Sequence, residues 1–315
     1  MKPGFEPSHV AAGSAARTGQ AAEVLAERSR QADFLTLTKP RLNSLVLVTT
    51  LAAYYLGGGD DLPWMQLVHT MIGTALVAAG ASAFNQWWER DTDRLMRRTR
   101  SRPLADGRLH PQDGFWFGVL LTALGIADLT LGVNPLTAAV AAATLVSYVL
   151  LYTPLKVRTS ASTIVGAIPG ALPAVIGWTA ATNTLSIEGW VLFGIVFMWQ
   201  MPHFLAIAWM FRDDYAAAGI PLLPVIQPDG RTTAHQAVLY TAGLIPVSLL
   251  PTAVGLASAY YLVGALTLGA VLMVLSLEFA STRGMPAAKR LFFGTILYLP
   301  LLWLLLLADH YSNIV

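Results

Sequence analysis

Long apolar runs alternate with short polar connections along this chain. Nine of the runs approach the roughly 20 residues that an α-helix needs to cross the hydrocarbon core of a bilayer. Their predicted limits are 40–57, 65–90, 112–131, 135–154, 161–181, 188–211, 235–256, 258–280 and 288–308, with the division near Ala257 the least marked. Gly, Pro, Asn and Asp separate most of the runs, as turns require. The pattern predicts an all-α, polytopic membrane protein with nine transmembrane helices.

The basic residues support this count. All 20 Lys and Arg residues fall on the N-terminal tail or on the connections after the second, fourth, sixth and eighth runs. Cytoplasmic connections of membrane proteins carry such an excess of Lys and Arg. We therefore expect the N-terminus inside and the C-terminus outside. Because the predicted inner connections are long and charged and the outer ones short, we expect the active site to face the cytoplasm.

Composition agrees with a membrane protein and argues against nucleic-acid binding and cysteine chemistry. The chain is 55% hydrophobic and 12% charged, whereas soluble domains carry roughly 25% charged residues. A net charge of +2 is too small to indicate binding to nucleic acid. The chain contains no cysteine, which excludes disulfides, thiolate metal sites and cysteine nucleophiles. Residues 1–33 lack the apolar core of a secretory signal and predict a flexible cytoplasmic tail. Residues 34–315 are expected to form a single transmembrane domain.

The chain changes character at NQWWERDTDRLMRRTRSRPL, the end of the second run. Asn85, Glu89 and Asp93 are spaced four residues apart, so on a helix they form one stripe that drifts by only about 40° per step. Carboxylates at the edge of hydrocarbon are costly, and these oxygen donors suit Mg²⁺, which commonly bridges carboxylates to substrate phosphates. The following arginines would either hold phosphate oxygens or anchor the inner face. They are Arg94, Arg97, Arg98, Arg100 and Arg102.

Two further regions with candidate residues lie on the same predicted side of the membrane, the cytoplasmic side. If the sixth helix continues past Arg212, His203 and Asp214 share one side of it, which makes Asp214 the second metal-ligand candidate. A lone intramembrane histidine is also compatible with ordinary packing. The fragment YTPLKVRT ends the fourth run, and there Lys156 and Arg158 would either contact phosphate or anchor the helix.

These segments resemble a known family. The N-x-x-x-E-x-x-x-D stripe followed by RTRSRPL is similar to the first signature of the UbiA-type intramembrane prenyltransferases. The segments TKPR, YTPLKVRT, GAIPGALPAVIGW and PHF with DYAAAGIPLLPV are similar to the heme farnesyltransferase branch of that superfamily. The chain departs from the usual pattern at Gln86 and Glu89, where aspartates are common, and it lacks a full acidic repeat at the second site.

The resemblance implies a bundle of helices around a central cavity in the cell inner membrane. Farnesyl diphosphate and Mg²⁺ would bind at Asn85, Glu89, Asp93 and Asp214, the implied catalytic and metal-binding residues. The implied diphosphate and substrate contacts are Arg94, Arg97, Arg102, Tyr152, Lys156 and Arg158. The acceptor would be a vinyl group of heme B, giving heme O for terminal oxidase assembly, with a later enzyme of heme A synthesis as a partner.

His203 would then orient water or contact heme, and Trp199 would stack on the porphyrin or simply pack between helices. Two alternatives remain open at this point. One is a prenyltransferase of the same superfamily that acts on an aromatic acid or quinone precursor. The other is a heme carrier or transporter without enzymatic activity, which the clustering of polar residues at one face disfavours.

Overall fold

The computed structural model describes residues 30–58 and 63–314, with side chains described up to residue 310, and every regular element in these ranges is helical. Residues 30–37 form α1. The remaining helices are α2 Pro40–Gly58, α3 Trp64–Asp93, α4 Pro103–Asp106, α5 Pro111–Gly132, α6 Pro135–Val146, α7 Thr153–Lys156, α8 Ser162–Thr182, α9 Ile187–Met210, α10 Arg212–Ala217, α11 Leu223–Ile226, α12 Arg231–Ala253, α13 Ala259–Thr282 and α14 Met285–Ile314.

Each predicted apolar run except 135–154 coincides with one long helix, and 135–154 is helical in three consecutive pieces. The division near Ala257 is confirmed, because α12 ends at Ala253 and α13 begins at Ala259. Eight helical stretches in the described part of the chain are long and apolar enough to cross a membrane. The predicted run that is not among these eight corresponds to α2, which has 19 residues and begins with the polar sequence PRLNS. The all-α membrane fold is confirmed, while the count of nine spans and the orientation of the termini stay predictions.

Residues 30–33 belong to α1 and contact the segment around α4 and α5. Arg30 pairs with Asp113 and Asp33 with Arg108, each at 3.1 Å. The residues before 30, on which most of the predicted tail falls, lie outside the described ranges. The boundary of the tail at residue 33 therefore stays a prediction.

The α6 helix does not continue directly into α7. Ser147–Tyr152 forms a π-helical turn between them, a deviation frequently found at functional sites. The turn directs Tyr148 and Tyr152 to the same side, where their rings stack with centroids 5.4 Å apart. Both tyrosines line the cavity described below.

The helix that contains Pro202 ends within one residue of the predicted limit at 211 and does not continue past Arg212. α9 ends at Met210, Phe211 has φ −115° and ψ 22°, and a separate helix, α10, begins at Arg212. His203 and Asp214 would share a helical face only if this helix continued past Arg212, and because it does not, they do not share one. Phe211 leaves the helical conformation at this point. The spacing of apolar side chains along the sequence does not reveal such a break.

The segments that carry the predicted site residues meet at one end of the bundle. The C-terminal end of α3, the end of α7 and the segment after α9 contact one another there. A small apolar cluster joins the connection after α3 to the connection after α9. Its buried members are Met96, Ala208, Tyr215, Ile220 and Leu222. This packing fixes the polar connections across one mouth of the bundle.

Candidate active site

The stripe on α3 is buried. Asn85, Glu89 and Asp93 expose only 3%, 5% and 1% of their surface. Because Glu89 and Asp93 carry charge, such burial requires compensating partners. The structure places those partners on three other segments.

Each member of the stripe contacts a different cation. Lys156 Nζ, at the end of α7, lies 2.9 Å from both oxygens of Glu89. Arg102, just before α4, donates to Asp93 Oδ2 at 2.7 Å. Lys39, just before α2, donates to Asn85 Oδ1 at 2.7 Å. The three cations and two carboxylates form a compact charged layer with a net excess of positive charge when all are ionised.

One acceptor in this layer has no partner. Asp93 Oδ1 is buried and makes no hydrogen bond, while its other oxygen is held by Arg102. An unpaired carboxylate oxygen on the same helical stripe as Asn85 and Glu89 fits a hard cation such as Mg²⁺. In the described ranges no three His, Asp or Glu side chains come together as a metal site. Further ligands would therefore have to come from water or substrate phosphates.

Lys39 is held in place by contacts of its neighbours. Its φ of 46° lies in the left-handed region, which is strained for a residue with a side chain. Gln86 Nε2 donates to Leu37 O at 2.9 Å and Asn43 Nδ2 donates to Thr38 O at 2.6 Å, fixing the turn before Pro40. Burial lowers the pKa of the Lys39 amine to about 7, and the charge of Arg102 contributes in the same direction. An anionic ligand beside Lys39 would restore its protonated form.

A cavity of about 380 Å³ opens next to this charged layer. Residues from α2, α3, the π-helical turn, α8 and α9 line it, and most of its wall is apolar or aromatic. Lys39 and Lys156 lie on its wall together with the tyrosine pair. Gly166 and Gly170 of α8 allow Tyr152 and Gln200 to pack closely, because a Cβ at either glycine would lie within 2.6 Å of those side chains. The arrangement suits an apolar molecule with an anionic end.

Asp214 lies in α10 and pairs with Arg97 at 3.5 Å between Arg97 Nε and Asp214 Oδ1. Beside this pair, Arg98 donates to the Tyr215 hydroxyl at 2.6 Å and stacks over the Tyr215 ring. Asp214 forms no three-residue acidic group with Glu89 and Asp93 among the residues described. Its predicted role as a metal ligand stays a prediction, and its observed contact joins the two connections at the mouth.

His203 belongs to α9, and its side chain packs against α14. Its ring stacks between Trp199 and Phe292, with centroids 5.2 and 5.0 Å away. His203 Nδ1 lies 2.9 Å from Thr295 Oγ1, and Trp199 Nε1 donates to Thr295 O at 2.7 Å. Neither His203 nor Trp199 is among the residues that line the 380 Å³ cavity. The geometry matches the packing interpretation of both residues.

Two of the other predicted phosphate contacts point elsewhere. Arg94 donates to the carbonyl of Ala105 at 2.7 Å and lies 3.5 Å from the exposed Asp91. Arg158 is exposed beyond the end of α7 and does not line the cavity. Three predicted substrate contacts do reach the stripe or the cavity. Arg102 contacts the stripe, Tyr152 lines the cavity, and Lys156 does both.

Comparison with known proteins identifies the family of this chain. Residues 46–306 match the family model described as the UbiA prenyltransferase family, which is well over half of the sequence. The chain belongs to the UbiA prenyltransferase family. The predicted resemblance is thus confirmed, while the role of the buried stripe on α3 as the family's first signature stays a prediction.

Relatives within the UbiA family are similar over nearly their whole length. The protoheme IX farnesyltransferase of Solibacter usitatus is 48% identical, over 88% of this chain and 98% of the relative. The protoheme IX farnesyltransferase of Myxococcus xanthus is 45% identical, over 88% of this chain and 94% of the relative.

Solved UbiA structures confirm the fold. A digeranylgeranylglyceryl phosphate synthase structure superposes with a TM-score of 0.77 at 14% identity, covering 90% of this chain and 99% of that chain. A UbiA homologue from Archaeoglobus fulgidus bound to GPP and Mg²⁺ gives a TM-score of 0.60 at 14% identity, covering 87% and 99%.

Three residues of the candidate site were not predicted from the sequence. The sequence did contain a signal for Lys39, a lysine at the start of an apolar run on the predicted inner face. Tyr148 stands four residues before Tyr152, a spacing that pairs side chains on one helical side. Gln86 replaces a common acid, and nothing in the local sequence shows that its amide binds the turn at 36–37.

Proposed function

We propose that this protein transfers the farnesyl group of farnesyl diphosphate to a vinyl group of heme B, with addition of water, to give heme O. The observation that carries the proposal is the buried layer of Asn85, Glu89 and Asp93 paired with three cations at the mouth of an apolar cavity. The protoheme IX farnesyltransferases at 40–48% identity support the identity of both substrates.

The charged layer is suited to ionise an allylic diphosphate. Lys156, Arg102 and Lys39 would donate hydrogen bonds to phosphate oxygens and stabilise the negative charge that develops as the bond to the farnesyl carbon breaks. Asn85, Glu89 and Asp93 would hold Mg²⁺, which neutralises the leaving diphosphate when bound. The unpaired Asp93 Oδ1 supports this assignment, as does the Mg²⁺ reported with GPP in the Archaeoglobus fulgidus homologue.

Substrate binding would change the partners of the cations. In the described structure Lys156 and Arg102 neutralise Glu89 and Asp93. When phosphate enters, the same cations can turn toward it while the carboxylates take metal, so no buried charge is left uncompensated. The layer is therefore stable before binding and already contains the groups that the leaving diphosphate needs.

The cavity walls would protect the reactive farnesyl cation. Apolar and aromatic side chains dominate the lining, which limits access of stray water before the new carbon–carbon bond forms. The vinyl group then attacks the farnesyl carbon, and water adds to the resulting cation and releases a proton. Tyr148 and Tyr152 lie beside Lys156 at the charged end, where their rings can face the allylic cation.

We assign no chemical step to His203, because it packs against α14 outside the cavity lining. Its predicted contact with water or heme stays a prediction, as does stacking of Trp199 on the porphyrin. We further propose that the chain resides in the cell inner membrane with the charged layer toward the cytoplasm. The distribution of Lys and Arg supports this orientation. The enzyme that next modifies heme O would be its partner.

The proposal is tested with purified protein in detergent or lipid. Heme B, farnesyl diphosphate and Mg²⁺ should yield a heme whose mass has increased by one farnesyl group and one hydroxyl group, detected by chromatography and mass spectrometry. Prenylation of 4-hydroxybenzoate with heme left unaltered would indicate an aromatic-acid prenyltransferase instead. Tight heme binding without any product, in the presence of all three components, would indicate a heme carrier.

A further inference from the structure

A second cavity of about 450 Å³ lies beside the charged layer and is more open than the first. We call it the basic groove. Three cations, Lys39, Arg41 and Arg102, line it together with the amide of Gln86 and the apolar side chains of Leu35 and Leu42. Among residues 30–58 and 63–310, no acidic side chain lines it. A wall with three cations and no carboxylate in this part of the chain attracts anions.

The basic groove adjoins the apolar cavity. Lys39 and Leu42 line both spaces. A molecule with an apolar body and an anionic edge can therefore reach from one space into the other. Of the two groove cations assigned above to farnesyl diphosphate, Lys39 lines both spaces, whereas Arg102 and Arg41 line the groove and not the apolar cavity.

Arg41 has a charge that the described protein does not neutralise. Lys39 and Arg102 contact Asn85 and Asp93, but the guanidinium of Arg41 pairs with no acid among residues 30–58 and 63–310. It is exposed at the first turn of α2. A free guanidinium beside an apolar wall is suited to bind a carboxylate through two parallel hydrogen bonds.

The wall of the groove is built before any ligand binds. Gln86 is 1% exposed and its Nε2 donates to the carbonyls of Leu37 and Thr36 at 2.9 and 3.4 Å. These bonds fix the turn that carries Lys39 and leads into Arg41. A preformed wall reduces the ordering cost of binding.

We propose that the basic groove binds the propionate carboxylates of the heme acceptor, with Arg41 as their principal contact. This inference rests on the proposed function. Heme B carries both carboxylates on one edge and its vinyl groups away from that edge. Because carboxylates are costly in hydrocarbon, the propionate edge should stay at the charged mouth while the ring enters the apolar cavity. Arg41 would thereby select how the porphyrin is inserted.

The test compares two acceptors in three variants. The acceptors are heme B and its dimethyl ester, in which the propionate charge is removed. The variants are Arg41→Gln, Arg41→Lys and, as a matched control, Lys289→Gln, which removes an exposed cation of α14 that lines neither cavity. KM for each acceptor, KM for farnesyl diphosphate and direct heme binding by absorbance titration are measured.

Arg41→Gln should raise KM and Kd for heme B by about 10- to 100-fold, the range expected for a lost hydrogen-bonded charge pair. It should leave KM for farnesyl diphosphate unchanged. With the dimethyl ester, wild type and Arg41→Gln should bind equally weakly, and Arg41→Lys should recover part of the loss with heme B. Lys289→Gln should behave as wild type.

Three results would overturn the inference. An unchanged KM for heme B would make Arg41 a membrane anchor only. A raised KM for farnesyl diphosphate would assign the groove to the diphosphate. An equal loss with the ester would exclude carboxylate recognition. If wild type forms no farnesylated heme, the proposed function fails, and the absorbance titrations with the two hemes still decide whether the groove recognises carboxylates.

Discussion

Individual charged residues are stabilised here by specific partners in other segments. Glu89 exposes 5% of its side chain and Lys156 exposes 14%, and both carboxylate oxygens contact the ammonium group. Removing one member of a buried pair leaves an uncompensated charge, which costs about 3–5 kcal/mol. Replacing both members with neutral groups removes that penalty. The pair therefore allows stability and catalysis to be measured separately.

Lys156→Gln should lower the free energy of unfolding by about 3–5 kcal/mol, because Glu89 is then buried without its cation. The double variant Lys156→Gln with Glu89→Gln should recover most of that stability. Both variants should be inactive, since the proposed diphosphate and metal contacts are lost. Denaturant unfolding in detergent and the heme farnesylation assay provide the two measurements. Equal stability of the single and double variants would show that the two residues are not coupled.

Asp93 and Asp91 form a matched pair on α3. Asp93 is 1% exposed with one unpaired oxygen, whereas the Asp91 side chain is 69% exposed and pairs loosely with Arg90 and Arg94. Asp93→Asn should reduce kcat by at least about 100-fold, in the range found when a charge-stabilising group is removed. Asp91→Asn should stay within about twofold of wild type, since surface pairs contribute little. Similar losses in both variants would remove Asp93 from its proposed role.

At the level of helices, close contacts determine how the cavity wall is assembled. A Cβ on Gly177 of α8 would lie 2.1 Å from the backbone oxygen of Thr50 in α2. Small residues allow membrane helices to approach in this way. The contact cannot be relieved by rotating a side chain, because its partner is backbone. Since α2 and α8 both line the cavity, their spacing also sets its width.

Gly177→Ala should therefore destabilise the protein by about 1–3 kcal/mol through overpacking. Gly243→Ala is the control, because Gly243 is also helical and its Cβ would meet only the Met198 sulfur at 3.6 Å. That substitution should be neutral or stabilise the protein by up to about 1 kcal/mol through higher helix propensity. Thermal unfolding in detergent distinguishes the two. A Gly177→Ala protein as stable as Gly243→Ala would show that the helices can separate without cost.

At the level of the whole molecule, the functional groups gather at one end of the bundle. Lys39, Glu89, Lys156 and Arg102 come from the starts or ends of four different segments and meet in one layer. The largest apolar core joins residues of α9, α12, α13 and α14 with residues of α2 and α8. Because α2, α8 and α9 also line the cavity, the helices of the cavity wall are anchored in that core.

The predicted orientation is testable because the chain has no cysteine. Single substitutions can be made at Asp60, in the predicted first outer connection, at Thr184, between α8 and α9, and at Ser101, between α3 and α4. In intact bacterial cells whose outer membrane is permeable to the reagent, a maleimide that cannot cross the inner membrane should label Asp60→Cys and Thr184→Cys. Ser101→Cys should react only after lysis. Labelling of Ser101→Cys before lysis would place the charged layer outside, and protection of Asp60→Cys would indicate that α2 does not cross.

The pattern of amino acids was sufficient to predict the helices and the single polar stripe of the candidate site. Nearly every apolar run became one helix because burial in lipid requires continuous helical hydrogen bonding, which is a local property. The i, i+4 spacing of Asn85, Glu89 and Asp93 likewise specified a single buried face. The resemblance in the same segments identified the UbiA family.

Contacts between distant segments required the folded chain. Lys39 donates to Asn85 from a turn whose preceding carbonyls are bonded by Gln86. Arg94 belongs to the same arginine-rich segment as Arg102, but it donates to the Ala105 carbonyl. The helix break at Phe211 turned Asp214 away from the side that carries His203. Such contacts depend on the close approach of segments far apart in sequence. Local periodicity specifies which side of a helix a residue occupies, but tertiary packing selects the partner found there.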